Sequence, residues 1–222
     1  MTRTALNLTP DLHTYAQAHS TTEDGLLAEL AAETQRLFPD RTSMQIGADQ
    51  GVFMTMLTRV MGARDVVEIG TFTGYSTICL ARGIAPGGSV LACDVSPEWT
   101  SVAQQYWQRA GLGDRISLRL APALDTLRSL SGEPTFDLAF VDADKENYIP
   151  YWEELLPRMR AGGVVLADNT LWRGEVLAPD SPDSPAAYIH SFNEHVHSDD
   201  RVETVVLTIG DGLTLSRVRS RD

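Results

Sequence analysis

The chain has 222 residues, 43% of them hydrophobic, which is enough for one large buried core, and 30 acidic against 18 basic side chains leave a formal charge of −12. That charge would repel a phosphate backbone, and no basic cluster with interleaved aromatics relieves it, so nucleic acid is excluded as a partner. No run approaches the roughly 20 apolar residues of a membrane span, and the opening MTRTALNLTPDLHTYAQ lacks the continuous apolar stretch of a signal peptide.

In chain order, the first sixty or so residues read as helical. Thr9 before Pro10 marks a helix start in TPDLHTYAQAHS. TEDGLLAELAAETQRLF carries Leu26, Leu27, Leu30 and Leu37 at helical spacing, and GADQGVFMTMLTRVMGA gives a third helix. Five short β-rich runs follow: DVVEIG, SVLACDV, ISLRL, FDLAFVDA and GGVVLADN. Helix-compatible segments such as SPEWTSVAQQYWQRAG and KENYIPYWEELLPRMR separate them. Near-continuous apolar strands alternating with helices imply a parallel sheet covered on both faces. RVETVVLTI, the turn GDG and LTLSRVR then read as a hairpin, which completes seven strands. The Pro/Ser/Asp loop over 178–185 is too short for a domain linker and is expected to border a pocket. The expectation is one α/β domain over 1–222, with N-terminal helices over 1–62 and a mostly parallel sheet over 63–222. Cys79 and Cys93 lie in apolar segments without metal or redox spacing, which points to reduced core thiols in a cytoplasmic protein.

In open α/β sheets the ligand lies beyond the carboxyl ends of the strands. Those ends carry Glu68 and Gly70, Asp94, Asp142, and Asp168 with Asn169. One Asp alone could be a helix cap; four such ends together point to a ligand. In VVEIGTFTGYS, Glu68 stands just ahead of a glycine turn, where a phosphate would be repelled, so a ligand with positive charge is expected. GTFTG leaves three residues between Gly70 and Gly74 and does not complete G-x-G-x-x-G, which weakens a nicotinamide-dependent oxidoreductase. Asp94 lies 20 residues past Gly74, at a place suited to ribose hydroxyls. Adenosine joined to a cationic tail fits both acids, and S-adenosylmethionine is such a molecule.

VEIGTFTGYS, VDADKENY and LADNTLWRG, in this order, resemble the cation-dependent small-molecule O-methyltransferases, the catechol and caffeoyl-CoA types among them. The resemblance runs from about Met44 to IGDGLTLSRVR and implies a Rossmann-like fold with an antiparallel C-terminal hairpin strand. It also implies that Gly70, Thr71 and Ser76 line the methionine part of S-adenosylmethionine, that Asp94 holds its ribose, and that Glu68 and Asp142 belong to the cofactor site. By the same resemblance Met44 and Ile46 lie over the cofactor, and Ala123 contacts its adenine side; core packing is the plainer reading of these three.

Asp142, Asp168 and Asn169 offer two carboxylates and an amide oxygen, a hard ligand set suited to Mg²⁺, with Mn²⁺ or Ca²⁺ as other candidates. The family's metal site matches these positions. A cation there would chelate two adjacent hydroxyls of a catechol-like substrate and stabilise the phenolate. The family also has a lysine at Lys145, which is therefore a candidate to accept the phenol's proton; if it stays protonated it is an electrostatic aid. Trp172 could wall a flat substrate and Tyr148 could reach the pocket mouth. Trp99, Trp107 and Trp152 are expected to pack in helices. His195 and His197 diverge on a helix and are not expected to hold a metal. The expected function is a divalent-cation-dependent O-methyltransferase acting on a vicinal dihydroxy aromatic. A non-catalytic nucleoside-binding regulatory protein is the alternative, and the resemblance implies a homodimer with N-terminal helices at its interface.

Overall fold

The computed structural model describes residues 9–22 and 24–220. The expected N-terminal segment over 1–62 thus lies partly outside the described residues. Helix α1 (Pro10–Ala18) starts where the sequence indicates: Thr9 Oγ1 accepts from the Leu12 N–H, and Pro10 occupies a first-turn position that has no N–H to satisfy. Asp24, Ser96 and Ser184 cap α2 (Gly25–Leu37), α5 (Pro97–Arg109) and α8 (Pro185–His197) in the same manner. Each such cap contributes about 1 kcal/mol. Between α2 and α3 (Ala48–Met61) lies a 3-10 segment, Pro39–Met44, that the sequence pattern did not reveal.

The strands β1 (Asp65–Ile69), β2 (Ser89–Asp94), β3 (Ile116–Leu120), β4 (Phe136–Val141), β5 (Met159–Ala167), β6 (Val202–Leu207) and β7 (Leu213–Val218) form one sheet in the order β3-β2-β1-β4-β5-β7-β6. β1 to β5 pair in parallel, while β7 runs antiparallel to both β5 and β6. This is the expected Rossmann-like arrangement, in which β7 alone runs against the rest. Strand alternation sorts the core into two layers. Val66, Leu138 and Leu166 face Met54 of α3, Ile78 of α4 (Tyr75–Gly83) and Trp107 of α5. Val67, Ile69, Val141 and Ala167 face Leu127 of α6 (Ala123–Ser129), Trp152 of α7 (Tyr148–Leu155) and Phe192 of α8.

β5 begins at Met159, ahead of the expected GGVVLADN. Its one charged residue, Arg160, reaches across the sheet to β4 and β1, bonding Asp137 Oδ1 at 2.7 Å and Asp65 Oδ2 at 3.0 Å. A register shift between Phe136 and Leu138 absorbs the extension. Among the described residues no helix is long and apolar enough to cross a membrane.

Candidate active site

The sheet register builds the site. Ile69 pairs with Cys93 and with Val141, and Val141 pairs with Ala167. The next residue of each strand, Gly70, Asp94, Asp142 and Asp168, therefore emerges at one level along the carboxyl edge. Backbone bonds continue past the strands: Gly70 N–H to Cys93 O at 3.0 Å, Asp142 N–H to Ile69 O at 2.8 Å, and Asp168 N–H to Val141 O at 3.0 Å. Gly70 has φ of +90°, and a Cβ there would lie 1.9 Å from the Asp142 carbonyl oxygen, so only glycine lets the β1–α4 turn close against β4.

Above this edge lies a cavity of about 500 Å³, within the usual range for small-molecule sites. Met44, Ile46, Gly70, Thr71, Ser76, Asp94, Ala123, Asp142, Lys145, Asn169 and Trp172 all line it. Asp94 Oδ2 accepts from the Thr71 and Phe72 N–H groups at 3.0 and 2.8 Å, and Oδ1 accepts from the Ser96 N–H at 2.8 Å. Oδ1 keeps a lone pair for a ligand hydroxyl. Thr34 of α2 donates to Thr73 at 2.8 Å, tying the N-terminal helices to the glycine turn. The Gln45 amide oxygen on the cavity wall is buried with no hydrogen-bond partner among the described residues, an acceptor suited to a ligand donor.

Glu68 departs from expectation. It lies inside β1, two residues before the turn, and alternation points it with Val66 into the α3/α4 layer, where it is fully buried and off the cavity wall. Its Oε2 accepts from Thr77 at 2.5 Å and Thr71 at 3.3 Å, while Oε1 has no partner among the described residues. Burial pushes this carboxyl up to about 8, against the pull of the Ser76, Thr77 and Thr71 hydroxyls. Glu68 thus underpins the glycine turn and offers no carboxylate at its edge.

The acids of β4 and β5 sit differently. Lys145 Nζ donates to Asp142 Oδ1 at 3.0 Å and to the Tyr148 hydroxyl at 2.7 Å, with its ammonium 4.7 Å from the Tyr148 ring centre and 5.8 Å from that of Trp172. Tyr148 does not reach the pocket mouth: it is buried beneath Lys145 and donates to the Asp168 carbonyl at 3.2 Å. Asp168 is also buried, with Oδ2 accepting from Gln50 Nε2 at 2.8 Å and Oδ1 from the Asn169 N–H at 2.7 Å. Burial, and then the neighbouring Asp142, push the Asp168 carboxyl up to about 7. Two close carboxylates, one of them deprived of water, form the electrostatic deficit that a hard dication relieves, and the Asn169 amide adds a neutral oxygen.

Comparison with known proteins decides the family. A family model described as O-methyltransferase matches residues 17–219. Caffeoyl-CoA O-methyltransferase 2 of Zea mays is 40% identical over 186 residues, covering 78% of this chain and 70% of its own. The O-methyltransferase from Bacillus cereus, solved in complex with S-adenosylhomocysteine, superposes with a TM-score of 0.86 at 33% identity over 94% of this chain and 97% of that one. TomG of Streptomyces achromogenes, an O-methyltransferase of tomaymycin synthesis solved with S-adenosylmethionine, gives 0.84 at 32% identity over 95% and 96%. The chain belongs to the O-methyltransferase family.

Several cavity residues of this O-methyltransferase escaped the sequence reading. Trp99, expected only to pack, lines the cavity and meets Phe72 edge-on at 5.3 Å, with the Arg41 guanidinium 5.5 Å from its ring centre. It sits in the first turn of α5, and the first turn of a helix that follows a parallel strand lies at the ligand-facing edge. Tyr151, Arg173 and Asp211 also line the cavity. From the stretch over 172–185 only Trp172 and Arg173 do so, and the loop over 178–185 contributes nothing. The non-glycine residues with positive φ among those described, Phe72, Asn169, Trp172 and Arg173, all border the cavity, so backbone strain is concentrated at the site. Trp107 and Trp152 are buried as expected. His195 approaches Glu153 and Asp199, but Arg201 bonds both of those acids and supplies the positive charge there.

Proposed function

We propose that this enzyme transfers a methyl group from S-adenosylmethionine to one hydroxyl of a vicinal dihydroxy aromatic, with a divalent cation held by Asp142, Asp168 and Asn169. The observation that carries the proposal is that Gly70, Asp94 and Asp142, in register along the carboxyl edge, line one cavity together with Asn169, while Asp168, in the same row, is buried off the cavity wall against the Gln50 amide. S-adenosylmethionine would supply the methyl on a sulfonium, and the dication would stabilise the phenolate of a chelated diol.

The chain's own residues supply binding and orientation. Asp94 would take the ribose hydroxyls on the lone pair left at Oδ1. Thr71 and Ser76 offer hydroxyls to the amino-acid end, and Met44, Ile46 and Ala123 cover the cofactor. Trp172 would stack on the acceptor ring. Orienting one hydroxyl in line with the methyl–sulfur bond is worth roughly 7–11 kcal/mol in favourable intramolecular cases. Lys145 donates to a carboxylate and a phenol oxygen. We assign it to holding the acceptor oxygen and stabilising its developing negative charge. The whole chain would act as one catalytic unit, in the cytoplasm, as a homodimer; the two buried free thiols of Cys79 and Cys93 support a reducing compartment.

The test is a mass-spectrometric screen of vicinal diphenols and matching monophenols with S-adenosylmethionine. Methylation of a diphenol should stop with chelator and return with Mg²⁺, and Asp168→Ala should behave as chelation does, losing more than about 100-fold. Full turnover in excess chelator would remove the metal from the proposal. Tight S-adenosylhomocysteine binding with no transfer to any diol would favour the non-catalytic alternative.

A further inference from the structure

Gln50 lies outside every motif that marks the site. It belongs to α3, in the N-terminal helical segment, yet its side chain is 2% exposed and its Nε2 donates to Asp168 Oδ2 at 2.8 Å across 118 residues of sequence. The other face of the amide is fitted just as closely: a Cβ at Gly210, in the β6–β7 turn, would come within 2.7 Å of Gln50 Oε1. The amide therefore lies between the hairpin turn, which has no room there for a side chain, and the carboxylate it bonds.

Resting on the metal reading above, we propose that Gln50 is a positioning residue for the cation site, fixing the rotation of the Asp168 carboxylate. Each Asp168 oxygen already accepts one bond, Oδ2 from Gln50 and Oδ1 from the Asn169 N–H at 2.7 Å. One lone-pair direction per oxygen remains, and the plane of the carboxylate sets where it points. A neutral amide donor suits this place, because it holds the anion without adding a charge that would compete with a dication. Removing the donor frees the carboxylate to rotate and leaves one buried oxygen without a partner. Outer partners of metal ligands commonly govern affinity to the extent of about 10–100-fold.

The experiment uses the full chain with S-adenosylhomocysteine bound, titrated with Mn²⁺ while the free ion is followed by electron paramagnetic resonance. Gln50→Met, close in shape but without the amide, should weaken Mn²⁺ binding by about 10–100-fold while S-adenosylhomocysteine affinity is unchanged. Gln50→Leu should do the same, and Met54→Leu, one turn along α3, should leave Mn²⁺ affinity at the wild-type value. If Gln50→Met and Gln50→Leu bind Mn²⁺ as the wild type does, the positioning role is wrong and the metal reading survives. If both variants lose cofactor binding together with Mn²⁺, Gln50 is merely structural and the proposal is overturned. A wild-type protein that takes up no Mn²⁺ would overturn the metal reading and this inference with it.

Discussion

The two halves of the carboxyl edge use the same residue types for opposite ends. Beside β1 and β2, the acids take their donors from the glycine turn and its helix: Glu68 takes threonine hydroxyls on one oxygen, and Asp94 takes three backbone N–H groups and keeps a lone pair on Oδ1. Beside β4 and β5, Asp142 and Asp168 receive one lysine and one glutamine side chain between them, and burial leaves Asp168 poorly stabilised as an anion. An acid at a strand end is therefore not by itself a ligand site. What separates the roles is where the acid points: Glu68 turns into the α3/α4 layer away from the cavity, whereas Asp94 and Asp142 line it.

The sharpest break in this comparison should come where the halves touch. Gly70→Ala would drive a Cβ into the Asp142 carbonyl, at a cost of about 3 kcal/mol or more from the positive φ and the clash. Thermal melts should show a large loss of stability, and any folded remainder should bind neither S-adenosylhomocysteine nor Mn²⁺.

The construction role of Glu68 has a pH signature. Its folded-state pKa, near 8, lies above the ordinary 4.5, so the folded protein holds a proton that the unfolded chain releases as pH rises between these values. Glu68 therefore costs stability progressively from pH 5 to pH 8, on the order of 3–4 kcal/mol across that range. Denaturant unfolding at both pH values should show Glu68→Gln gaining on the wild type as pH rises. An unchanged difference would mean that the carboxylate is satisfied in the fold.

On the other half, the bond from Lys145 to Asp142 predicts a charge role. Lys145→Met should lower kcat on the order of 100-fold, whereas Lys145→Arg should stay within about 10-fold of wild type. Equal losses in both variants would point to proton transfer at the lysine.

The sheet was legible because its strands are short, apolar and regularly spaced, and cavity residues were legible where one directly followed such a strand, as Gly70 and Asp142 do. Glu68 misled because proximity to the glycine turn suggested a ligand, while the alternation of β1 had already turned it inward with Val66. Trp99 was set aside as helix packing although its first-turn position in α5 put it at the ligand edge. Gln50 gave no signal at all, since its partner is 118 residues away and only the fold brings α3 against the end of β5.

The central claim is that Asp142, Asp168 and Asn169 converge on one dication beside the cofactor. A crystal structure with Mn²⁺ and S-adenosylhomocysteine, with the metal located by anomalous scattering, tests it directly. The account predicts a peak within about 2.5 Å of an oxygen from each of the three side chains. A peak at Glu153, His195 and Asp199 instead, with none along the β4–β5 edge, would contradict it.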